Sequence, residues 1–455
     1  MTITDEELDR LSAARFELAS GSAGRKNHDW SRLPDGPGWP VVAQSIGLVR
    51  YRHRFVPWLH RKYGDVFTVR LVPGPRPLVL FTKPEHSREI FAGDPEIFHA
   101  GKGNSILGPI MGEHSLLLQD SGEHKRARRL LMPAFNGHAL RGYQDLVTEV
   151  ARDEVATWRS GEEFRALDRM NALTLEVILR VVFGVADEQR LAALRPTVQK
   201  IVDINPALLL GWAFPRLRRL RPWQRLEENQ RRLDRLMYDE IAERREVPDL
   251  AERTDVLSQL IRSGEGEDAL TDTELRDQLV TLLLAGHETT ATALAWSLYE
   301  LGRSPALLDR SRAAARDGDD AWLEAVLKES MRLHPVIPMV VRQLMAPVTI
   351  GGIDLPTGIF VGTSILIAHA REDNHADPLE FRPERFLDHN PPANTWIPFG
   401  GGVRRCIGAG FSLMEGTAAL REILKEYAVT AVGDEQPKVR NITSVPEKGA
   451  RIRVG

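Results

Sequence analysis

The chain has 455 residues, 42% of them apolar and 27% charged, with 60 Lys and Arg against 63 Asp and Glu for a net charge of −3. This profile is that of an ordinary globular protein; it excludes a disordered or nucleic-acid-coating chain, and no nucleic-acid partner is expected. Cys406 is the only cysteine, so no intrachain disulfide can form and the expected setting is a reducing, cytoplasmic one.

In chain order, residues 1–32 read as a polar N-terminal extension lacking the basic start and apolar core of a signal peptide. The longest apolar runs, such as residues 279–286, fall far short of the roughly 20 residues that span a bilayer, so no transmembrane anchor is expected. The Pro/Gly-rich residues 33–40 open a single domain, 33–455, with no repeat and no long linker. Strand patterns at 66–72 and 77–81 are joined by Pro73, Gly74 and Pro75, which suits a hairpin turn. From Leu140 to about Arg262 charged and apolar residues interleave with few breakers, predicting an α-rich lobe, and a polar loop follows at 262–272.

Thr271 and Glu274 form a Thr-x-x-Glu capping box for a helix reaching Arg303. Its apolar positions 275, 279, 282, 283, 294, 298 and 301 hold helical spacing over about 45 Å. After a further helix ending at Pro335, strand patterns return at 339–344, 348–356 and 358–368. The fold class expected is mainly α with a small β lobe, α+β.

Within the long helix, residues 285–290 read AGHETT. Ala285 and Thr289 share a face, and the small Ala285 and Gly286 would let a flat ligand approach the backbone. Thr289 can return its hydroxyl to the preceding turn, leaving a polar notch beside the titratable Glu288. An ordinary helix surface would carry the same residues. A zinc protease is excluded, since His287-Glu288 is followed by no second His at the needed place.

Glu329 and Arg332 lie three apart on the next helix, and Arg385 in FRPERF could join them in an ion network. His124 and Arg128 are four apart, with Lys125 and Arg129 on the adjacent stripe: either a solvated cationic face or a clamp for anionic groups.

Residues 397–411 read IPFGGGVRRCIGAGF. The three glycines can adopt positive φ and bring amides close to a sulfur, and helical spacing from Ile407 sets Cys406 at a helix N-terminus. The dipole there, with Arg404 and Arg405, favours a thiolate: a nucleophile, a redox sensor or a metal ligand. A phosphate loop fits poorly, because Leu413 stands where a third glycine belongs. One cysteine is too few for zinc or an iron–sulfur cluster but suffices for heme iron, whose equatorial ligands are the porphyrin's.

Together these motifs resemble the cytochrome P-450 family of heme-thiolate monooxygenases, from about Leu33 to the C-terminus. Phe399, Gly402, Arg404, Cys406 and Gly408 match its heme-binding signature, AGHETT its oxygen-activating helix motif, and Glu329, Arg332 and Arg385 its structural triad. The resemblance implies heme b (iron protoporphyrin IX) between the long helix and the cysteine-loop helix, with Cys406 as axial thiolate favouring O–O cleavage. Glu288 and Thr289 would relay protons, and His124, Arg128, Arg342 and Arg404 would hold the propionates. The implied reaction inserts one atom of O2 into a C–H bond or double bond of an apolar small molecule.

No flavin or iron–sulfur domain is recognisable in the sequence, so a ferredoxin and a ferredoxin reductase are the implied partners, with Lys125, Arg129 and Arg405 as docking charges. Leu282, Ala285, Val336, Ile337, Met339 and Val340 would line an apolar pocket, terpenoid or steroid-like polycycles being slightly favoured over fatty acids. Residues 204–225 mix an apolar and a basic run where the family places its access lid. A heme-thiolate sensor without turnover is the alternative; it would need neither Glu288–Thr289 nor a docking face.

Overall fold

The computed structural model describes residues 3–4, 7, 30, 32–72, 76–184, 188–202, 220–263, 268–387 and 391–455. The expected turn at 73–75, nearly all of the N-terminal extension, residues 204–219 of the expected lid and residues 264–267 of the polar loop lie outside these.

In chain order the principal elements are α1 (Val41–Arg50), α2 (Arg52–Tyr63), β1 (Val66–Leu71), β2 (Arg76–Phe81), α3 (Pro84–Ala92), β3 (Phe98–His99), α4 (Ser121–Leu131) and α5 (Gly137–Ala156). There follow β4 (Glu163–Arg165), α6 (Ala166–Phe183), α7 (Glu188–Val202), α8 (Arg221–Glu246), α9 (Val256–Arg262), α10 (Asp272–Arg303), α11 (Pro305–Asp317) and α12 (Asp320–Leu333). The remainder comprises β5 (Met339–Leu344), β6 (Val348–Ile350), β7 (Ile353–Leu355), β8 (Phe360–Ser364), α13 (Ile365–His369), α14 (Ala409–Glu426), β9 (Val429–Ala431), β10 (Pro437–Arg440), β11 (Thr443–Pro446) and β12 (Arg451–Val454). The fold is predominantly helical with a small mixed β lobe, as expected.

Two compact units divide the chain: Met1–His28, His99–Ala139 and Leu175–His287 form one, and Asp29–Phe98, Leu140–Thr174 and Glu288–Gly455 the other. Helix α10 passes from the first into the second. It begins with the expected capping box: Thr271 N–H donates to Glu274 Oε2 at 2.8 Å, and Glu274 N–H donates to Thr271 Oγ1 at 3.2 Å. Its residues are buried on nearly every side, as befits a core helix rather than an amphipathic surface one.

In the first unit, the fully buried Arg276 of α10 donates through Nε to Asp234 of α8 at 2.7 Å and through a terminal nitrogen to Asp277 at 2.8 Å. Two carboxylates thus neutralise a guanidinium that has no access to water. Gly286 abuts Ile178 of α6, where an added Cβ would come within 2.8 Å of the Ile178 side chain. Its smallness therefore serves helix packing, not only the ligand approach expected for it.

The second unit is built on the sheet β1-β2-β8-β5-β3. β1 and β2 run antiparallel with Leu71 opposite Arg76, β2 and β8 run parallel, and β5 returns antiparallel to β8. One sheet face carries Val79, Phe81 and Val361, and the other Leu78, Leu80 and Phe67; both are buried. Residues 365–368 are helical, not the continuation of a strand: the Ser364 hydroxyl accepts from Ile367 N–H at 3.3 Å and caps α13. The three-stranded sheet β4-β12-β9 and the hairpin β10-β11 are additional to the strands expected.

Candidate functional site

The cysteine loop is held from several directions within the second unit. Ile397 N–H donates to His369 Nε2 at 2.9 Å, Trp396 Nε1 donates to the Lys328 carbonyl at 3.2 Å, and Cys406 N–H donates back across the loop to the Phe399 carbonyl at 2.9 Å. Gly400 and Gly402 adopt φ of +66° and +63°, as their residue type allows. Gly401 is extended and is needed for another reason: an added Cβ would lie 2.4 Å from the Phe91 ring. At Gly402 it would lie 1.9 Å from the Phe91 carbonyl oxygen, so α3 dictates the path of the loop.

Cys406 is exposed. Helix α14 starts at Ala409 with Gly408 as its N-cap, so the cysteine stands ahead of the helix rather than as its first cap residue, which corrects the expected start at Ile407. Arg342, buried on β5, and Arg404 line one depression together with Phe91, Gly401 and Val403. The two arginines, 62 positions apart in sequence, are thus brought together. Arg405 is exposed.

On α10, Ala285 is exposed and Thr289 half-buried one turn later, although Leu279, Val280, Leu283 and Ala291 on the same helix are all buried. The helix is therefore open along the face the sequence marked. Glu288 is buried, and its Oε1 lies 3.2 Å from Nε of Arg440 at the end of β10. Thr290 and Ser412 of α14 share a hydroxyl–hydroxyl hydrogen bond of 3.0 Å. Neither Arg440 nor Ser412 had a sequence signal pointing to it.

Glu329, Arg332 and Arg385 do assemble. Arg332 makes two hydrogen bonds to Glu329, of 2.7 and 2.8 Å, and Arg385 Nε donates to Glu329 at 3.2 Å. Arg332 also donates to the carbonyls of His369, Pro378 and Glu380. Both Glu329 and Arg332 are buried.

Of the remaining residues marked in the sequence, Val336 is buried and Ile337, Met339 and Val340 are half-buried. Ile337 and Val340 pack against one sheet core and Met339 against the other. In the first unit, His124 is buried and Arg128 half-buried, one turn apart on α4, and Leu282 is buried. Lys125 and Arg129 are exposed, Arg129 lying 3.2 Å from Asp268.

This helical framework with its small mixed sheet and its cysteine loop defines the class of protein, and comparison with known proteins specifies the family. The family model for Cytochrome P450 matches residues 34–454. The chain is 53% identical over 426 residues to "Putative cytochrome P450 135A1" of Mycobacterium tuberculosis, covering 93% of this chain and 95% of that one. It is 41% identical over 431 residues to "Putative cytochrome P450 135B1" of Mycobacterium bovis, covering 93% and 91%. The solved structure titled "Retinoic acid bound cyanobacterial CYP120A1" superposes with a TM-score of 0.81 at 23% identity, covering 93% of this chain and 99% of that one, and shares its fold.

The chain belongs to the cytochrome P450 family. It is an oxidoreductase of the monooxygenase type, and family membership implies a heme b cofactor. Among the described residues no helix is long and apolar enough to cross a membrane.

Proposed function

We propose that the protein is a heme-thiolate monooxygenase that inserts one oxygen atom from O2 into a C–H bond or double bond of an apolar small molecule. The observation that carries this reading is the exposed Cys406 on a loop whose path is fixed by Phe91 and by the hydrogen bonds of Ile397 and Cys406 N–H. The donor set suits the group the family implies. A single thiolate would suffice as the protein's ligand to the iron, the paired Arg342 and Arg404 suit a carboxylate, and the open face at Ala285 suits a flat apolar surface.

In this reading Cys406 ligates the iron, with Phe399 and Gly408 shaping its loop, while Arg342 and Arg404, together with His124 and Arg128, hold the propionates. Heme, when bound, supplies the activation of O2. Glu288 and Thr289 hold and pass protons at the carboxylate and the hydroxyl, and the Arg440 guanidinium keeps the Glu288 carboxylate in place. Electrons come from separate partners, a ferredoxin and its reductase. The apolar Val336, Ile337, Met339 and Val340 favour a terpenoid or steroid-like polycycle slightly over a fatty acid.

Reduced protein with carbon monoxide is expected to show the red-shifted Soret band of a thiolate ligand, and Cys406→His to lose it. A histidine-type band in the wild type would sink the ligand assignment. Thr289→Ala is expected to keep heme and substrate binding while diverting electrons to hydrogen peroxide; unchanged product per electron would remove Thr289 from the relay. Screening apolar compounds for the spectral shift that follows loss of a water ligand tests the substrate class.

A further inference from the structure

Helix α1 has two unlike faces. Gln44, Ser45, Gly47 and Leu48 are buried, while Val42, Ile46 and Val49 are exposed at 59%, 50% and 43%. Their spacing of four and three places them in one stripe along the helix. Trp39, three positions ahead of Val42, is about half exposed as well; Tyr51, just after α1, is also half exposed but falls at helical spacing in line with Gly47 and Leu48, off the stripe. Ile442 at the β10–β11 turn, also exposed, lies by the start of α2, where Arg52 donates to the carbonyls of Asn441 and Ile442 at 3.1 Å. Single exposed apolar residues are normal, but five of the thirteen large ones exposed among the described residues fall within residues 39–51.

The charge around the stripe is one-sided. Residues 37–63 contain no Asp or Glu, although about one residue in seven of the chain is acidic, and they carry Arg50, Arg52, Arg54, Arg61 and Lys62. Arg52 is buried and the other four are exposed. Cations bracket the stripe at both ends. The Arg50 guanidinium lies 5.8 Å from the Tyr51 ring, and Lys62 lies 5.2 Å from the ring of Trp58, which stacks on Trp39 at 4.9 Å.

We propose that this face docks on an anionic lipid surface. Val42, Ile46 and Val49 enter the acyl boundary, Trp39 lies at headgroup level, and Arg50, Arg54 and Lys62 meet lipid phosphates. The contact is peripheral. A second copy of this chain is the poorer occupant, because a self-complementary contact would set the same cations against each other. The inference goes beyond the proposed activity and does not depend on it.

The test mixes the heme-loaded full chain with sedimenting vesicles of phosphatidylcholine, alone or with phosphatidylglycerol. Binding to the anionic vesicles is expected to be roughly tenfold tighter and to fall as salt rises. Val42→Glu with Ile46→Glu is expected to abolish it, and Arg50→Glu with Lys62→Glu to weaken it roughly tenfold, each with an unchanged heme spectrum and melting temperature without vesicles. Should the first pair fail to fold, the charge pair decides. Equal binding to both vesicle types, or binding indifferent to either pair, overturns the proposal. So does a dimer in light scattering that Ile46→Glu splits, which would assign the face to a second copy.

Discussion

The carboxylate of Glu288 lies 3.2 Å from the Arg440 guanidinium, joining the middle of α10 to the last residue of β10 across 152 positions of sequence. The hairpin that carries Arg440 is itself pinned. Arg52 donates to its turn carbonyls, and Ser444 Oγ lies 2.8 Å from His53 Nε2. Asn441 supplies the positive φ its turn requires. The position of the acid thus depends on a rigid hairpin rather than on α10 alone.

The first prediction concerns that pair. Glu288 is buried and Arg440 about a quarter exposed, so the attraction is screened on one side only. A double-mutant cycle of Glu288→Gln and Arg440→Gln, read by urea unfolding, is expected to give a coupling energy of about 1–2 kcal/mol. A coupling near zero would show that the hairpin does not hold the acid.

Arg332 carries the second. It is buried, makes five hydrogen bonds to Glu329 and to three carbonyls, and so joins α12 to the chain at 369–380. Arg332→Lys keeps the charge but loses the planar fork of donors. The substitution is expected to cost about 1–3 kcal/mol of stability, because buried carbonyls lose their donors although the charge stays, and to lower the yield of folded protein. Unfolding midpoints of wild type and variant measure it. A loss below about 1 kcal/mol would reduce the triad to a local contact.

What could be read from the sequence depended on whether the interacting groups were near one another along the chain. Glu329 and Arg332 were legible because their spacing of three places them on one helix face, and Thr271 with Glu274 because a capping box is local. Positive φ at Gly400 and Gly402 followed from residue type. Arg440 and Phe91 were invisible, since no periodicity connects β10 to α10 or α3 to the glycine loop. The segment 365–368 misled for another reason: a short apolar run after a strand has no periodicity to separate strand from helix, and the decision fell to the Ser364 cap.

His369 supplies a prediction in pH. Its Nδ1–H donates to the Arg332 carbonyl at 3.2 Å and its Nε2 accepts from Ile397 N–H at 2.9 Å, so the ring is neutral and a second proton would face a donor. Burial, with His375 and Arg332 adding to it, pushes its pKa down to about 3. The unfolded chain binds this proton near pH 6.5 and the folded one only near 3. Stability from this group is therefore complete above pH 6.5 and declines by up to about 1.4 kcal/mol per pH unit as pH falls. His369→Gln is expected to flatten that decline in thermal unfolding between pH 6.5 and 4. A variant with the same slope as wild type would exclude His369 as its source.

Glu415 on α14 is expected to act with the opposite sign. Burial pushes its carboxyl up to about 8, and the Thr290 hydroxyl, which also bonds Ser412, works against that rise. The side chain is buried and neither of its oxygens has a hydrogen bond of good geometry, so the neutral acid is the form the fold accepts. Between about pH 4.5 and 8 the folded chain holds a proton that the unfolded chain has released, and stability falls as pH rises, by up to about 1.4 kcal/mol per unit. Glu415→Gln keeps the shape without the titration, so its unfolding midpoint should match wild type near pH 5 and exceed it at pH 8. Because the amide adds donors to an apolar site, a constant loss at every pH can overlie this difference; the slope is therefore the diagnostic quantity. If wild type and variant run parallel from pH 5 to 8, the Glu415 carboxyl does not exchange its proton on unfolding in this range.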